Sequence, residues 1–152
     1  MIAILLNDAS FEQDIRELLM AFYPGETFTH KEEEAGEAEL IVRGVRDGNS
    51  FSLDVTPVKK EAVHFALIYP DFSNRFETKN EIKQTLYRLL SAQTGRELPW
   101  GTLTGIRPTK IIMKWMEEEK DSAKLEQRFR ETYLADPQKA NLCRRVAQRE
   151  KV

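Results

Sequence analysis

The 152-residue chain contains one cysteine, Cys143, and two histidines, His30 and His64. A single thiol excludes an internal disulfide and any metal centre built on several thiolates, and it fits a reducing, cytoplasmic compartment. The histidines are far apart in sequence, and neither has a ligand-spaced partner of the HExxH or CxxC kind. His30 is expected to be exposed and His64 to face outward. No serine or cysteine stands in a nucleophile motif. No apolar run approaches the roughly 18 residues that a membrane span requires. The opening MIAILLNDAS lacks the length, basic flank and small-residue cleavage site of a signal peptide, so it is expected to form a buried strand. There is no internal repeat and no low-complexity segment.

What is present is the composition of a soluble globular protein, 41% hydrophobic and 32% charged. The net charge of −2 hides an asymmetry. Residues 1–76 carry fourteen acidic and seven basic side chains, giving −7; residues 77–152 carry eleven and sixteen, giving +5. An uneven balance of this kind marks either attraction between packed halves or a basic surface for an anionic partner.

The pattern along the chain predicts an α+β fold. A small N-terminal sheet of three to five strands carries one helix (residues 1–76), and a helical region of about four helices follows (residues 77–152). After the apolar run IAILL, the stretch SFEQ predicts a helix with Ser10 as N-cap and Gln13 closing a capping box. Phe11, Ile15, Leu18, Leu19 and Phe22 share its apolar face, and Tyr23–Gly25 ends it. Strands are predicted around Glu26–Lys31 and Ala38–Arg46, with the acidic Lys31–Glu39 run as a solvated hairpin tip. The Asp47-Gly48 pair predicts a tight hairpin turn into FSLDV, where Phe51, Leu53 and Val55 point inward. Ala62–Ile68 predicts one more strand. Thr78 to Glu81 reads as a second capping box, ahead of Ile82, Leu86, Leu89 and Leu90, with Gly95 as C-cap. Ile111, Ile112, Trp115 and Met116 mark a further helix, Leu125, Phe129 and Tyr133 another, and Asp136-Pro137 opens the last.

Between the first two of these helices lies LPWGTLTGIRPTK, Leu98 to Lys110. It fails as a Walker-type loop: only three residues separate Gly101 from Gly105, and a helix rather than a strand precedes it. Two readings stay open. In one, residues 98–110 are a structured connector, with Pro99 and Pro108 extending the residues before them, Thr104 bonding to backbone near the helix start, and Trp100 plugging the gap between helices. In the other, Arg107 and Lys110 at the start of the helix opened by Pro108 meet an anion. Basic residues continue to the end, twelve against eight acidic from residue 99 on. Glutamates interleave with them, and no helix-turn-helix, RNP or KH signature is visible, so nucleic-acid binding is the weaker alternative.

The stretch LYRLLSAQTGRELPWGTLTGIRPTKI, Leu86 to Ile111, closely resembles the region upstream of the iron–sulfur motif in HemZ-type coproporphyrinogen dehydrogenases. These are radical-SAM proteins similar to oxygen-independent coproporphyrinogen III oxidase. The resemblance implies a parent that binds a 4Fe–4S cluster and S-adenosylmethionine and oxidatively decarboxylates the propionates of coproporphyrinogen III. It implies that this chain is the amino-terminal accessory region, with its own radical-SAM barrel as partner. The CxxxCxxC run that holds the cluster is absent here, so no catalytic residue carries over. The chain alone is expected neither to bind the cluster nor to perform the radical reaction. Trp100, Thr104, Arg107 and Lys110 are the residues expected to touch either that barrel or the tetracarboxylate substrate. A protein-interaction module using the basic helical half is the other alternative.

Overall fold

The computed structural model describes residues 1–59, 63–104 and 108–150. They fall into two compact units, Met1–Arg96 and Glu97–Val152. The sequence pattern changes from mixed to purely helical near residue 76, but the first unit continues through the next helix because that helix closes its core.

The first unit is a five-stranded mixed sheet with two helices on one face. In chain order come β1 (Ile2–Leu6), α1 (Glu12–Phe22), β2 (Phe28–Thr29), β3 (Leu40–Asp47), β4 (Ser50–Pro57), β5 (His64–Ile68) and α2 (Arg75–Thr94). The strand order is β2-β1-β3-β4-β5. β1 runs parallel to both its neighbours, and the β3-β4-β5 meander is antiparallel. Asp47 pairs with Ser50, so the hairpin loop is Gly48-Asn49. Gly48 has φ +60°, the value the first loop position of a type II′ turn demands, and this geometry matches the strand twist.

Register decides the core. Ile2 and Ile4 of β1, Leu40 and Val42 of β3, and Phe51, Leu53 and Val55 of β4 share one face and are buried. Ile15, Leu18, Leu19 and Phe22 of α1 and Ile82, Leu86 and Leu90 of α2 cover that face. The predicted helical stripe on α1 is therefore the buried one, at roughly 1.5–3 kcal/mol for each large side chain fully removed from water. On the opposite face, Ala3 and Leu5 of β1 lie under Ala35 and Ala38.

Several local expectations are corrected. Ser10 is not the cap of α1. Asp8 takes that role one turn earlier, its carboxylate accepting from Ser10 N (3.1 Å) and Ser10 Oγ (2.6 Å) at the start of a 3-10 turn, Ala9–Phe11. A carboxylate outcompetes a hydroxyl for backbone donors, so the acid captures the helix entry. Thr78 is likewise inside α2, whose N-cap is Asn74, accepting from Glu77 N at 3.1 Å. Thr78 is buried and its hydroxyl reaches back to the carbonyls of Asp71 (2.8 Å) and Asn74 (2.9 Å). The acidic run is no hairpin tip. β2 and β3 both lie parallel to β1, so the chain between them crosses over the sheet, and it does so as a 3-10 helix, Glu32–Glu37. Ala35 and the capping Ala38 pack on the sheet, while Glu32, Glu33 and Glu37 stay exposed. The polar strand shrinks to Phe28–Thr29. Gly95 does cap α2 as expected, in the left-handed region at φ +70°.

The second unit comprises α3 (Pro108–Trp115), α4 (Ser122–Tyr133) and α5 (Pro137–Glu150), preceded by the described loop 97–104. Ile112, Phe129, Tyr133, Ala135, Ala140, Cys143 and Ala147 form its core. The small residues of α5 let α3 and α4 approach it closely. Trp115 stacks on Tyr133 (6.1 Å between centroids), and Arg128 lies 4.1 Å over the Trp115 ring. Asp121 caps α4 through Ala123 N and Lys124 N, and Asp136 caps α5 through Gln138 N, ahead of Pro137 as the sequence predicts.

Candidate functional site

The first half of the Leu98–Lys110 segment is held by backbone contact with the turn between α4 and α5. Thr102 N donates to the carbonyl of Tyr133 at 2.7 Å, and Thr102 Oγ1 donates to the same oxygen at 3.2 Å. Asp136 N donates to the carbonyl of Pro99 at 2.8 Å. Within the loop, Gly101 N bonds to Leu98 O and Leu103 N to Trp100 O. The chain thus docks main chain on main chain, which requires a residue without a Cβ at the point of contact. Gly101 is that residue: a Cβ there would lie 1.9 Å from the Tyr133 carbonyl oxygen, and its φ is +60°. The receiving turn is equally unusual, because Leu134 adopts the left-handed conformation at φ 56°.

The four residues that the sequence singles out occupy different settings. Trp100 packs its ring against the core of the helical unit, with Lys139 Nζ 5.5 Å from its centroid. Thr104 is half-buried, while the fully buried threonine of the segment is Thr102, 1% exposed. Lys110 is exposed in the first turn of α3. Arg107 lies outside the described residues, together with Gly105 and Ile106. The residues that hold the segment in place, Thr102 and the Tyr133-Leu134 turn, escaped the sequence reading. Nothing in a leucine announces a left-handed turn.

Elsewhere the candidate chemistry is sparse. Cys143 is buried in α5, and burial pushes its thiol up to about 11, away from nucleophile or metal-ligand chemistry. His30 Nε2 sits 3.3 Å from Glu12 Oε1 at the surface, and His64 lies in β5. Among the described residues no cluster of three or more His, Cys, Asp or Glu side chains could hold a metal ion. No helix among them is long and apolar enough to cross a membrane. A shallow cleft of about 150 Å³ in the first unit is lined by Ser10, Phe11, Arg46, Phe72, Arg75 and Thr78. Of its two arginines, Arg46 pairs with Asp8 at 3.2 Å and lies 3.9 Å over the Phe72 ring.

Comparison with known proteins gives one curated relative at the level of sequence. Over 98 residues, 62% of this chain, it is 30% identical to the oxygen-independent coproporphyrinogen-III oxidase-like protein HemZ of Bacillus subtilis (strain 168). The match lies in the N-terminal region of that protein. It spans 19% of that protein's length. No protein-family profile matches the chain. No solved structure matches it either.

Proposed function

We propose that this chain is the amino-terminal accessory region of a HemZ-like protein of porphyrin biosynthesis, and that it docks on a radical-SAM barrel supplied by the remainder of that protein. The observation that carries this reading is the 98-residue similarity to HemZ, which covers most of this chain and under a fifth of the relative. An enzyme of the kind named in that relative would act on coproporphyrinogen III. The residues present do not fit a 4Fe–4S cluster, which is held by cysteine thiolates. The chain has one cysteine, and its thiol is buried and kept protonated. The cluster and S-adenosylmethionine accordingly belong to the barrel in this proposal.

What this chain contributes is a positioned surface. The clasp between Gly101-Thr102 and the Tyr133-Leu134 turn holds the described loop 97–104, and Lys110 is exposed in the first turn of α3. A cation there suits a substrate bearing four carboxylates, as it suits an acidic rim on a barrel. The test is to add the purified chain in trans to a HemZ-like protein lacking its own N-terminal region. Light scattering after gel filtration reads association, and protoporphyrinogen formation reads activity. A stoichiometric complex with raised turnover is expected. Separate elution of the two at tens of micromolar overturns the docking role.

A further inference from the structure

The five-stranded sheet ends on β5, and among the described residues this edge has none of the usual protections. Its sequence, HFALI, carries no lysine, proline or bulge. Large apolar side chains alternate along its outer face: Val63 is 58% exposed, Phe65 61%, Leu67 48% and Tyr69 65%. Val45 continues the patch inward, in the same cross-strand row as Ser52 and Leu67, and is itself exposed.

Among the described residues, the backbone of Phe65 and Leu67 is unpaired on its outer side. In an antiparallel ladder, residues alternate between pairs that exchange hydrogen bonds and pairs that do not. The two-residue turn makes Asp47 and Ser50 a bonded pair, so Ser52 and Asp54 also bond to β3. Phe51, Leu53 and Val55 then bond to Ile68, Ala66 and His64 of β5. That leaves the N–H and C=O groups of Phe65 and Leu67 directed off the sheet, and no other described backbone group bonds to them.

We infer that β5 pairs antiparallel with β5 of a second copy of this chain, about a two-fold axis at Ala66. An axis at Phe65 or Leu67 would also keep the exposed row in phase, but the axis at Ala66 pairs all four of its residues. Phe65 faces Leu67 of the other copy, Val63 faces its Tyr69, and the two Ala66 residues meet on the axis. Phe65 and Leu67 fall at bonded positions, so the free donors and acceptors of both edges are satisfied together. Edge pairing covers the backbone edge and the facing flanks of these side chains and leaves their outer surfaces in water, so the interface is smaller than the ~1,000 Å² of a stable complex and the association is a weak, reversible one. The pairing is independent of the proposed docking role, since a chain with no barrel partner would still form it.

The register makes the test specific. Sedimentation velocity of the full chain from about 5 to 200 µM reads the association that an interface of this size supports. Wild type is expected to dimerise within that range. Phe65→Lys with Leu67→Lys places like charges opposite each other at both Phe65–Leu67 contacts and is expected to stay monomeric. Phe65→Lys with Leu67→Glu places Lys opposite Glu at both contacts, and the dimer is expected to return, in a form that weakens with salt. In a Cys143→Ala background, Ala66→Cys is expected to cross-link under mild oxidation, because non-bonded antiparallel pairs bring Cα atoms to about 4.5 Å. A monomeric wild type up to 200 µM overturns the inference, as does a dimer unaffected by the double lysine substitution. A barrel that binds β5 would show as a monomeric wild type that forms a complex lost in the double lysine variant, and this too overturns it.

Discussion

The carbonyl oxygen of Tyr133 accepts both the backbone N–H and the hydroxyl of Thr102, at 2.7 and 3.2 Å. One oxygen at the end of α4 therefore anchors a loop some thirty residues earlier, and Gly101 makes the approach sterically feasible. Gly101→Ala has to move backbone as well as adopt a left-handed φ, so it is expected to cost about 2–4 kcal/mol. Thr102→Val leaves part of a buried acceptor unsatisfied and is expected to cost about 1–2 kcal/mol. Hydrogen exchange resolved by peptide checks both, with faster exchange in the helices of the second unit and little change in the sheet.

Cys143 should be inert while the chain is folded. Burial lifts its thiol from 9.0 to about 11, so at pH 8 alkylation by iodoacetamide is expected only after denaturant is added. The sign of the linked stability follows. The unfolded chain releases the thiol proton first, so stability is intact below pH 9 and falls as pH rises toward 11. Cys143→Ala removes that part of the alkaline loss, measured as the urea midpoint against pH.

Asp8 gives the opposite slope. Its bonds from Ser10 and its pair with Arg46 hold the carboxyl below the ordinary carboxylate range. A depressed folded value contributes stability that is present above the unfolded value and lost as pH falls through the folded one. Asp8→Asn is expected to flatten the urea midpoint between pH 4 and 2. Asp8→Ala is expected to cost about 1 kcal/mol as a lost cap, and Ser10→Ala less than half of that.

Anaerobic reconstitution with ferrous iron and sulfide checks the cofactor assignment. The chain alone is expected to develop no absorption near 400 nm that survives desalting, and Cys143→Ala is expected to behave identically. Retained iron at one cluster per chain would contradict the assignment of the cluster to the barrel.

The helical half also permits a charge test. With glutamates interleaved among its basic residues, retention on single-stranded RNA or duplex DNA is expected to be absent even at about 50 mM salt, where counterion release favours binding most. Salt-sensitive retention would favour the nucleic-acid alternative over a porphyrin-related role.

Much of this chain was settled by sequence alone. The alternation in FSLDV fixes which side of β4 is buried, because a period of two admits only two answers and one puts Phe51 in water. The stripe from Phe11 to Phe22 fixes the buried face of α1, and Asp136-Pro137 fixes the start of α5. These are local signals, read within a few residues. Tertiary structure decided the rest, through partners distant in sequence. β1 gained two parallel neighbours, which turned the acidic run from a hairpin tip into a crossover with buried alanines. Asp8 took the cap from Ser10, and Arg46, far along the chain, reinforced it. In the described part of the Leu98–Lys110 segment, a glycine meets the main chain of a turn whose left-handed residue is a leucine. Composition shows that the glycine is there. Only the packing of main chain against main chain shows why a side chain cannot be.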